Sequence, residues 1–434
     1  MLLYCHTITP RIKYVVDFIS QYFLHPFQVT ANEQAYIASS GFKINYSHQR
    51  FTAEEIHIKP CPILSESEKR RFHIHTFQHK HYKAFFETDG DMRFDLFGAI
   101  FYLLSRYEEY LPHEKDVYGR FAHQSSVAYR EEFLHLPLIN IWLEDFRELC
   151  LQKFPELQFT PAQFQFLPTY DIDIAWSHKH KTFKQNFGGI MRAILQGKWS
   201  AARKHIRVLK GKIEDPFDAY EWMDELHERF NLHPIFFILV AAEKNKYDRN
   251  IDIHHQEFQK LVHSIATKNK VGLHPSWASS DHRGLLGREK MYLEKVTNQH
   301  IHASRQHYIR MSLPHTYQFL IDNGITHEYS MGYGSINGFR ASVALPFYWY
   351  DLEREEKTNL IVHPFCFMDA NAYYEQSLTA QEALQEMLQF YTAIKSVNGN
   401  MCTLWHNNFL GTADEFAGWR DAYENFIQIV SEGN

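Results

Sequence analysis

From Phe164 to the C-terminus, short apolar runs alternate with stretches whose apolar residues recur at helical spacing, and few architectures accept that pattern. Phe164–Tyr170 reads as a strand. Pro234–Val240 (Pro-Ile-Phe-Phe-Ile-Leu-Val) is continuously apolar, as a strand buried on both faces of a parallel sheet must be. Lys270–His274, Ile325–Met331 and Met401–Trp405 read as further strands. A helix is expected from Asp215-Pro216, as N-cap and first-turn proline, to about Phe230. Others are expected near Phe258–Ala266, over Leu313–Asp322 with Gly324 as its stop, and over Gln381–Lys395. Leu384, Met387, Leu388, Tyr391 and Ile394 share one face of the last. Repeated β-α units predict a parallel sheet, open or closed into a barrel. Both put active residues at the C-terminal ends of strands.

The residues before Pro155 follow a different pattern. Short strand-like runs accompany one dense helix, Asp95–Tyr110, stopped by Pro112, and a second over Leu138–Phe154. Pro155 and Pro161 punctuate a boundary. At 434 residues the chain accommodates two domains, expected as a smaller α+β domain at 1–160 and a β/α unit at 161–434. Hydrophobic residues at 45% supply a core, and a net charge of −6 gives no global attraction to nucleic acid, so no such partner is expected. Cys5, Cys61, Cys150, Cys366 and Cys402 form no C-x-x-C pair, which argues against a disulfide framework or a cysteine zinc site. The start of the chain does not read as a secretory signal, and the apolar run Leu96–Leu104 is too short to span a bilayer. A cytoplasmic location, peripheral to the inner membrane at most, is the expectation.

Four polar clusters fall where the later strands end. In Thr169-Tyr170-Asp171-Ile172-Asp173 the two carboxylates are two residues apart, so in extended chain they face one side. One can hold a metal while the other acts as base; the pair also reads as a turn cap. In Gly272-Leu273-His274, a histidine at a strand end suits a metal ligand or a hydrogen-bonded core group. In Ser304-Arg305-Gln306-His307-Tyr308, Arg305 and His307 project together, and an arginine there can orient a carboxylate. In Leu404-Trp405-His406, the histidine suits a general acid, which Asp369 could orient and tune; Asp369 also reads as a loop cap.

The order of these clusters resembles the polysaccharide deacetylase family, carbohydrate esterase family four, across about Leu167–Phe409. The segments that carry the resemblance are Thr169-Tyr-Asp-Ile-Asp173, Ile235-Phe-Phe237, His274-Pro-Ser-Trp-Ala278, Arg305-Gln-His-Tyr308, Tyr329-Ser-Met-Gly332 and Leu404-Trp-His406. The resemblance implies a deformed (β/α) barrel that hydrolyses an N-acetyl amide on a sugar with a divalent metal, zinc being the expected ion. It implies Asp171 as the base that takes a proton from water, Arg305 holding Asp171, and His406 protonating the departing amine. Two positions depart from the family pattern. Ile172 separates the two aspartates, making Asp173 the candidate ligand, and Ala278 stands where the family has its second histidine. The expected metal set is therefore Asp173, His274 and His307, with Asp281 and His282 as weaker substitutes. Asp/His/His does not choose among first-row ions.

Ser177–Ile213 holds ten Lys/Arg and no Asp or Glu, with Phe187, Ile190, Met191, Ile194, Leu195, Trp199, Ile206 and Leu209 at near-helical spacing. A basic amphipathic helix of this kind can lie on an anionic membrane beside a lipid-linked glycan. The alternative is an insertion packed against the first domain with Trp199 buried. The expected substrate is an N-acetylated sugar in a polysaccharide, lipopolysaccharide precursor or lipid-linked saccharide. A metal-free hydrolase of other C–N bonds, favoured by Ala278, and a degenerate glycan-binding barrel are the rival readings.

Overall fold

The computed structural model describes residues 1–160 and 162–433, so Pro161 lies outside the described residues. The chain opens with β1 (Leu2–Cys5), α1 (Pro10–Tyr22), β2 (Gln28–Thr30), α2 (Glu33–Ala38), β3 (Lys43–Tyr46) and β4 (Ile56–Ile58). Thr9 starts α1 by accepting the Ile12 amide at 3.1 Å. The four strands form one sheet in the order β2-β1-β3-β4, and every pairing is parallel. The expected α+β character therefore gives way to α/β: parallel neighbours need crossovers, and α1 and α2 provide two of them. An antiparallel hairpin of β5 (Phe77–His79) and β6 (Tyr82–Ala84) follows, then α3 (Leu96–Leu104), α4 (Val127–Arg130) and α5 (Leu138–Lys153).

The single helix expected over Asp95–Tyr110 is broken. Asp95 caps α3 by accepting the Gly98 amide at 2.9 Å. Arg106 turns left-handed (φ 52°), and Tyr107–Tyr110 form one tight turn. The break lets the buried Arg106 reach Glu108 at 2.9 Å and Glu109 at 2.7 Å.

The second part runs β7 (Gln165–Ile172), α6 (Phe183–Leu195), α7 (Trp199–Leu209), α8 (Tyr220–Phe230), β8 (Ile235–Val240), α9 (Gln256–Lys268), β9 (Lys270–Pro275) and α10 (Arg283–Thr297). It continues with β10 (Ala303–Ser304), α11 (His315–Asp322), β11 (His327–Met331), β12 (Phe347–Asp351), β13 (Glu356–Pro364), β14 (Phe367–Met368), α12 (Ala380–Lys395), β15 (Asn400–His406) and α13 (Trp419–Glu432). The nine strands order as β12-β13-β11-β10-β9-β8-β7-β15-β14, parallel except for β12. The barrel does not close: β12 and β14 are the two ends of the strand order. The sheet is curled all the same. Tyr329 of β11, Phe237 of β8, Met368 of β14 and Leu404 of β15 meet in one small apolar cluster, separate from the main core. On a flat sheet β11 and β14 would stand roughly 30 Å apart, six spacings of ~4.8 Å. Gly272 permits the tight curl, because a Cβ there would fall 2.4 Å from the Phe237 ring.

Two local expectations are corrected. Asp215 does not cap a helix. Its buried carboxylate accepts the amides of Ser177, His178, Lys179 and Phe217 at 2.7–3.0 Å, and α8 starts only at Tyr220. The expected basic helix is a helical hairpin, α6 and α7, turned at Gly197 (φ 73°), and Trp199 is 60% exposed and not packed on the first region.

The first region covers the antiparallel edge strand β12. Tyr14 donates to the Tyr348 carbonyl at 2.8 Å, and the rings of Tyr14 and Phe101 meet Tyr350 at 5.0 and 5.1 Å. One continuous apolar core runs from Leu3 to Val430 across both regions. An unpaired strand edge is thereby shielded.

Candidate metal centre and active cleft

β7 delivers the first two acids. Ile172 is fully buried in the main core, so Asp171 and Asp173 on either side of it face into the curl. The inserted isoleucine thus keeps the carboxylates on one side. Asp171 is buried, and Arg305 Nη1 donates to its Oδ1 at 2.9 Å. Arg305 is itself fixed: Nε donates to the Tyr329 carbonyl at 2.9 Å, and the guanidinium lies 4.5 Å from the Phe237 ring centre. The free oxygen, Asp171 Oδ2, lies 3.6 Å from His274 Nε2.

Asp173, His274 and His307 come together, with one donor atom from each lying within 4.8 Å of the others. His274 Nδ1 is 2.6 Å from the Arg305 carbonyl, which only accepts, so Nδ1 carries a proton. Nε2 stands 3.0 Å from Asp173 Oδ1, a buried oxygen left without a hydrogen-bond partner. With the ring neutral, two acceptors face each other there, an arrangement that a cation between them satisfies. His307 Nδ1 donates to Asp248 Oδ1 at 2.9 Å, and its Nε2 stands 3.3 Å from Asp173 Oδ2. Carboxylate and carbonyl partners on the second ring nitrogen are what orients metal-ligating histidines. The residues present therefore fit a divalent first-row ion. Burial alone would lower the His307 pKa, but Asp173 and Asp248 outweigh it and raise it to about 9. Burial would raise Asp173, but His307 and His274 hold it well below the usual carboxylate range.

Across the cleft, His406 at the end of β15 donates from Nδ1 to Asp369 Oδ1 at 2.6 Å, and its amide donates to Asp369 Oδ2 at 2.7 Å. Its Nε2 lies 3.6 Å from Asp173 Oδ2. Burial opposes the charged ring, but Asp369 and the two cleft aspartates raise its pKa to about 10. Asp369 is fully buried and pushed up by that burial, with His406 working in the opposite direction.

A cleft of about 470 Å³ opens over these groups, with Tyr118, Tyr247, Tyr308, Tyr374 and Phe409 in its walls. Tyr118 belongs to the first region. Its ring stands 5.4 Å from Tyr308 and 5.9 Å from Trp277. Arg120, two residues on, donates to the Tyr308 carbonyl at 2.7 Å. Tyr308 and Ile309 both have positive φ (59° and 54°), a strained turn directly after His307. A larger cavity of about 690 Å³, lined by Arg71, His73, His75 and Arg130 among others, lies in the first region and holds none of the expected site residues.

Ala278 and the two weaker substitutes lie outside the cluster: Asp281 pairs with Arg310 at 2.6 Å, and the metal group does not include His282. Sequence reasoning missed Asp248 and Arg120. Asp248 had a readable signal, since it lies in the polar loop that follows the apolar strand β8. Arg120 had none.

Residues 1–155 match a family of unknown function, DUF7033. No curated protein matches the chain. Among solved structures, the chain is similar to a Mycobacterium smegmatis protein described as a polysaccharide deacetylase (TM-score 0.40, 15% identity, 63% of this chain and 85% of that one). It is also similar to a CE4 family pseudoenzyme from Bacillus anthracis (TM-score 0.33, 11% identity, 63% of each chain). A third similar structure is an allantoinase (TM-score 0.36, 10% identity, 62% of this chain and 84% of that one).

Proposed function

We propose that this protein is a metal-dependent hydrolase that removes N-acetyl groups from a sugar. The observation that supports this reading best is the pairing of two chemistries in one cleft. On one side stand candidate ligand atoms, the buried and unpartnered Asp173 Oδ1 with His274 Nε2 at 3.0 Å. On the other stands His406, bonded to Asp369, whose carboxylate favours the protonated ring. Binding a glycan alone needs neither. The aromatic walls suit the apolar faces of a sugar ring.

Asp173, His274 and His307 would hold the ion. A divalent ion bound there supplies Lewis-acid polarisation of the amide carbonyl. The remaining steps belong to the chain. Asp171, kept in place by Arg305, turns Oδ2 to the cleft and takes a proton from the attacking water. The C–N bond breaks as His406 gives its Nε2 proton to the departing amine, leaving acetate and a free amino sugar. Asp369 fixes the tautomer by holding Nδ1.

His307 bears on the metal-free alternative, whose motive was a missing third ligand at Ala278. The deciding experiment measures metal content of the purified protein together with acetate release from N-acetylglucosamine oligomers, before and after chelation. Stoichiometric metal and chelator-sensitive acetate release are expected. Activity that survives complete metal removal would assign the site to metal-free hydrolysis, and metal without turnover on any N-acetylated glycan would leave a binding protein.

A further inference from the structure

The hairpin α6–α7 takes no part in the cleft, yet it concentrates apolar exposure. Of the fourteen large hydrophobic side chains exposed among the described residues, seven lie here: Phe183, Phe187, Met191, Leu195, Trp199, Ile206 and Leu209. Phe183, Phe187, Ile190, Met191 and Ile194 fall at positions i, i+4, i+7, i+8 and i+11, one stripe of α6. Within it Phe183, Phe187 and Met191 are exposed, with Leu195 one turn further on, while Ile190 and Ile194 are half-buried on the side of the buried Asn186, so the outer edge of the stripe is the free one. On α7 the buried residues are Ala202, His205 and Val208, while Trp199, Ile206 and Leu209 stay exposed. The hairpin is held at its inner side and base. His205 meets Asn186 at 3.0 Å and stacks on His178 at 3.8 Å, and Asp215 anchors the Ser177–Lys179 amides. It is a built element, not a loose excursion of the chain.

Its charge is one-sided. Of the ten Lys/Arg in 177–213, two pair with carboxylates among the described residues, Lys179 with Asp218 and Lys204 with Asp414, leaving eight. Arg203, Arg207 and Lys210 are exposed and flank Trp199 and Ile206 on the helix surface. The hairpin leaves β7 just after Asp173, and Lys204 ties it to the segment that follows His406, so it stands at the cleft end of the sheet.

We infer that α6–α7 docks on an anionic lipid bilayer, its apolar stripe at the headgroup–acyl boundary and Arg203, Arg207 and Lys210 on the headgroups. Charge selects this occupant. A second copy covering the stripe would bring eight unpaired cations against eight, and like charges across an interface repel. Among the described residues no helix is long and apolar enough to cross a membrane, so the contact is peripheral. Docking would hold the cleft end of the sheet near the surface, where a lipid-linked substrate presents its sugar. The lipid contact itself does not depend on the catalytic reading.

The test uses the full chain, co-sedimented with phosphatidylcholine vesicles with and without phosphatidylglycerol, at low and high salt. Two exposed-residue variants accompany it: Arg203→Glu/Arg207→Glu/Lys210→Glu, and Phe183→Ser/Phe187→Ser/Trp199→Ser. The wild type should pellet with the anionic vesicles alone, and less so at high salt. The charge variant should partition about 100-fold more weakly or worse. The apolar variant should also be lost from the pellet, with metal content and circular dichroism unchanged in both. Absence from anionic vesicles at low salt, or equal binding to both vesicle types, overturns the inference. So does a lipid-free dimer that the apolar variant converts to monomer, since the stripe's occupant is then a second copy.

Discussion

Arg106, Glu108, Glu109 and Arg340 meet behind the seam between the first region and the sheet; Asp171, Asp173, Asp248 and Asp369 meet Arg305 and three histidines inside the curl. Both clusters gather charge away from water, which is costly unless each charge is paired and hydrogen-bonded. At the seam the pairing is complete. Glu109 accepts from Arg106 Nε at 2.7 Å and from Arg340 at 2.9 and 2.6 Å, Glu108 accepts the Val127 amide at 2.8 Å, and Arg106 donates to the Arg340 carbonyl. None of these side chains has a buried polar atom without a partner. Burial would raise the Glu109 pKa, but the two arginines outweigh it and lower it to about 2. In the curl the pairing is incomplete: Asp173 Oδ1 and Asp248 Oδ2 have no hydrogen-bond partner, and the cluster opens on a cleft. A closed network holds the fold together, whereas an open one is shaped for something that binds.

The largest predicted effect separates the two directly. His406→Ala should lower acetate release by ~10²–10⁴-fold, the range for a general acid, with metal content unchanged. Undiminished kcat in that variant would remove His406 from the reaction. At the seam, Glu109→Ala should cost about 3–5 kcal/mol of unfolding free energy, because the buried Arg340 loses its counter-charge and Arg106 one of its two. Urea denaturation measures this, and kcat of the folded fraction should stay as it was. A seam variant that kept its stability but lost turnover would reverse the comparison.

The open cluster should also respond to pH where the seam does not. In the metal-free protein His307 keeps its proton up to about pH 9, and it must lose that proton to become a ligand. Below pH 9 metal affinity should therefore fall by about ten-fold for each unit of pH, or ~100-fold between pH 8 and 6. Competition with a chromophoric chelator reads this out, and a flat profile would take His307 out of the ligand set. Arg120 links the two regions at this point. It grips the carbonyl of the strained Tyr308, so Arg120→Ala should loosen His307 and weaken metal binding by about 10–100-fold, the range for groups that orient ligands. An unchanged affinity would reduce Arg120 to a surface contact of the first region.

Much of the curl was legible in the sequence because its strands obey local rules. The apolar run 235–240 can only be a strand covered on both faces, and acids or histidines placed at such strand ends converge once the sheet curls. The position of His307 beside Asp173 and His274 agrees with the direction it was expected to share with Arg305, although the turn that follows it is strained and carries no pattern. Whether the sheet closes, which the sequence left open, and the parallel pairing in the first region were not legible, because closure and strand pairing depend on contacts distant in sequence. The break at Arg106 was invisible for the same reason: Arg340, its neighbour in the seam, is far along the chain. Propensity favours a helix through Tyr110, and a buried ion network overrides it.

The smallest predicted effect lies on the wall that the first region lends to the cleft. Tyr118 touches no member of the charge cluster; its ring stands near Tyr308 and Trp277, and Trp277 in turn stacks on Tyr247 at 3.9 Å. If this aromatic group receives a sugar ring beyond the reacting one, Tyr118→Ala should raise KM for a longer oligomer by about 2- to 10-fold, the scale of one lost aromatic contact. It should leave kcat and metal affinity alone, and Tyr118→Phe should behave as wild type. The comparison between substrates sharpens the point, because a single N-acetylated sugar too short to reach the wall should not notice the change. A purely structural Tyr118 predicts the opposite pattern: lower stability, lower kcat through a displaced Tyr308, and the same KM for long and short substrates. Steady-state kinetics on oligomers of increasing length distinguish a wall that reads the substrate from one that only props the His307 turn.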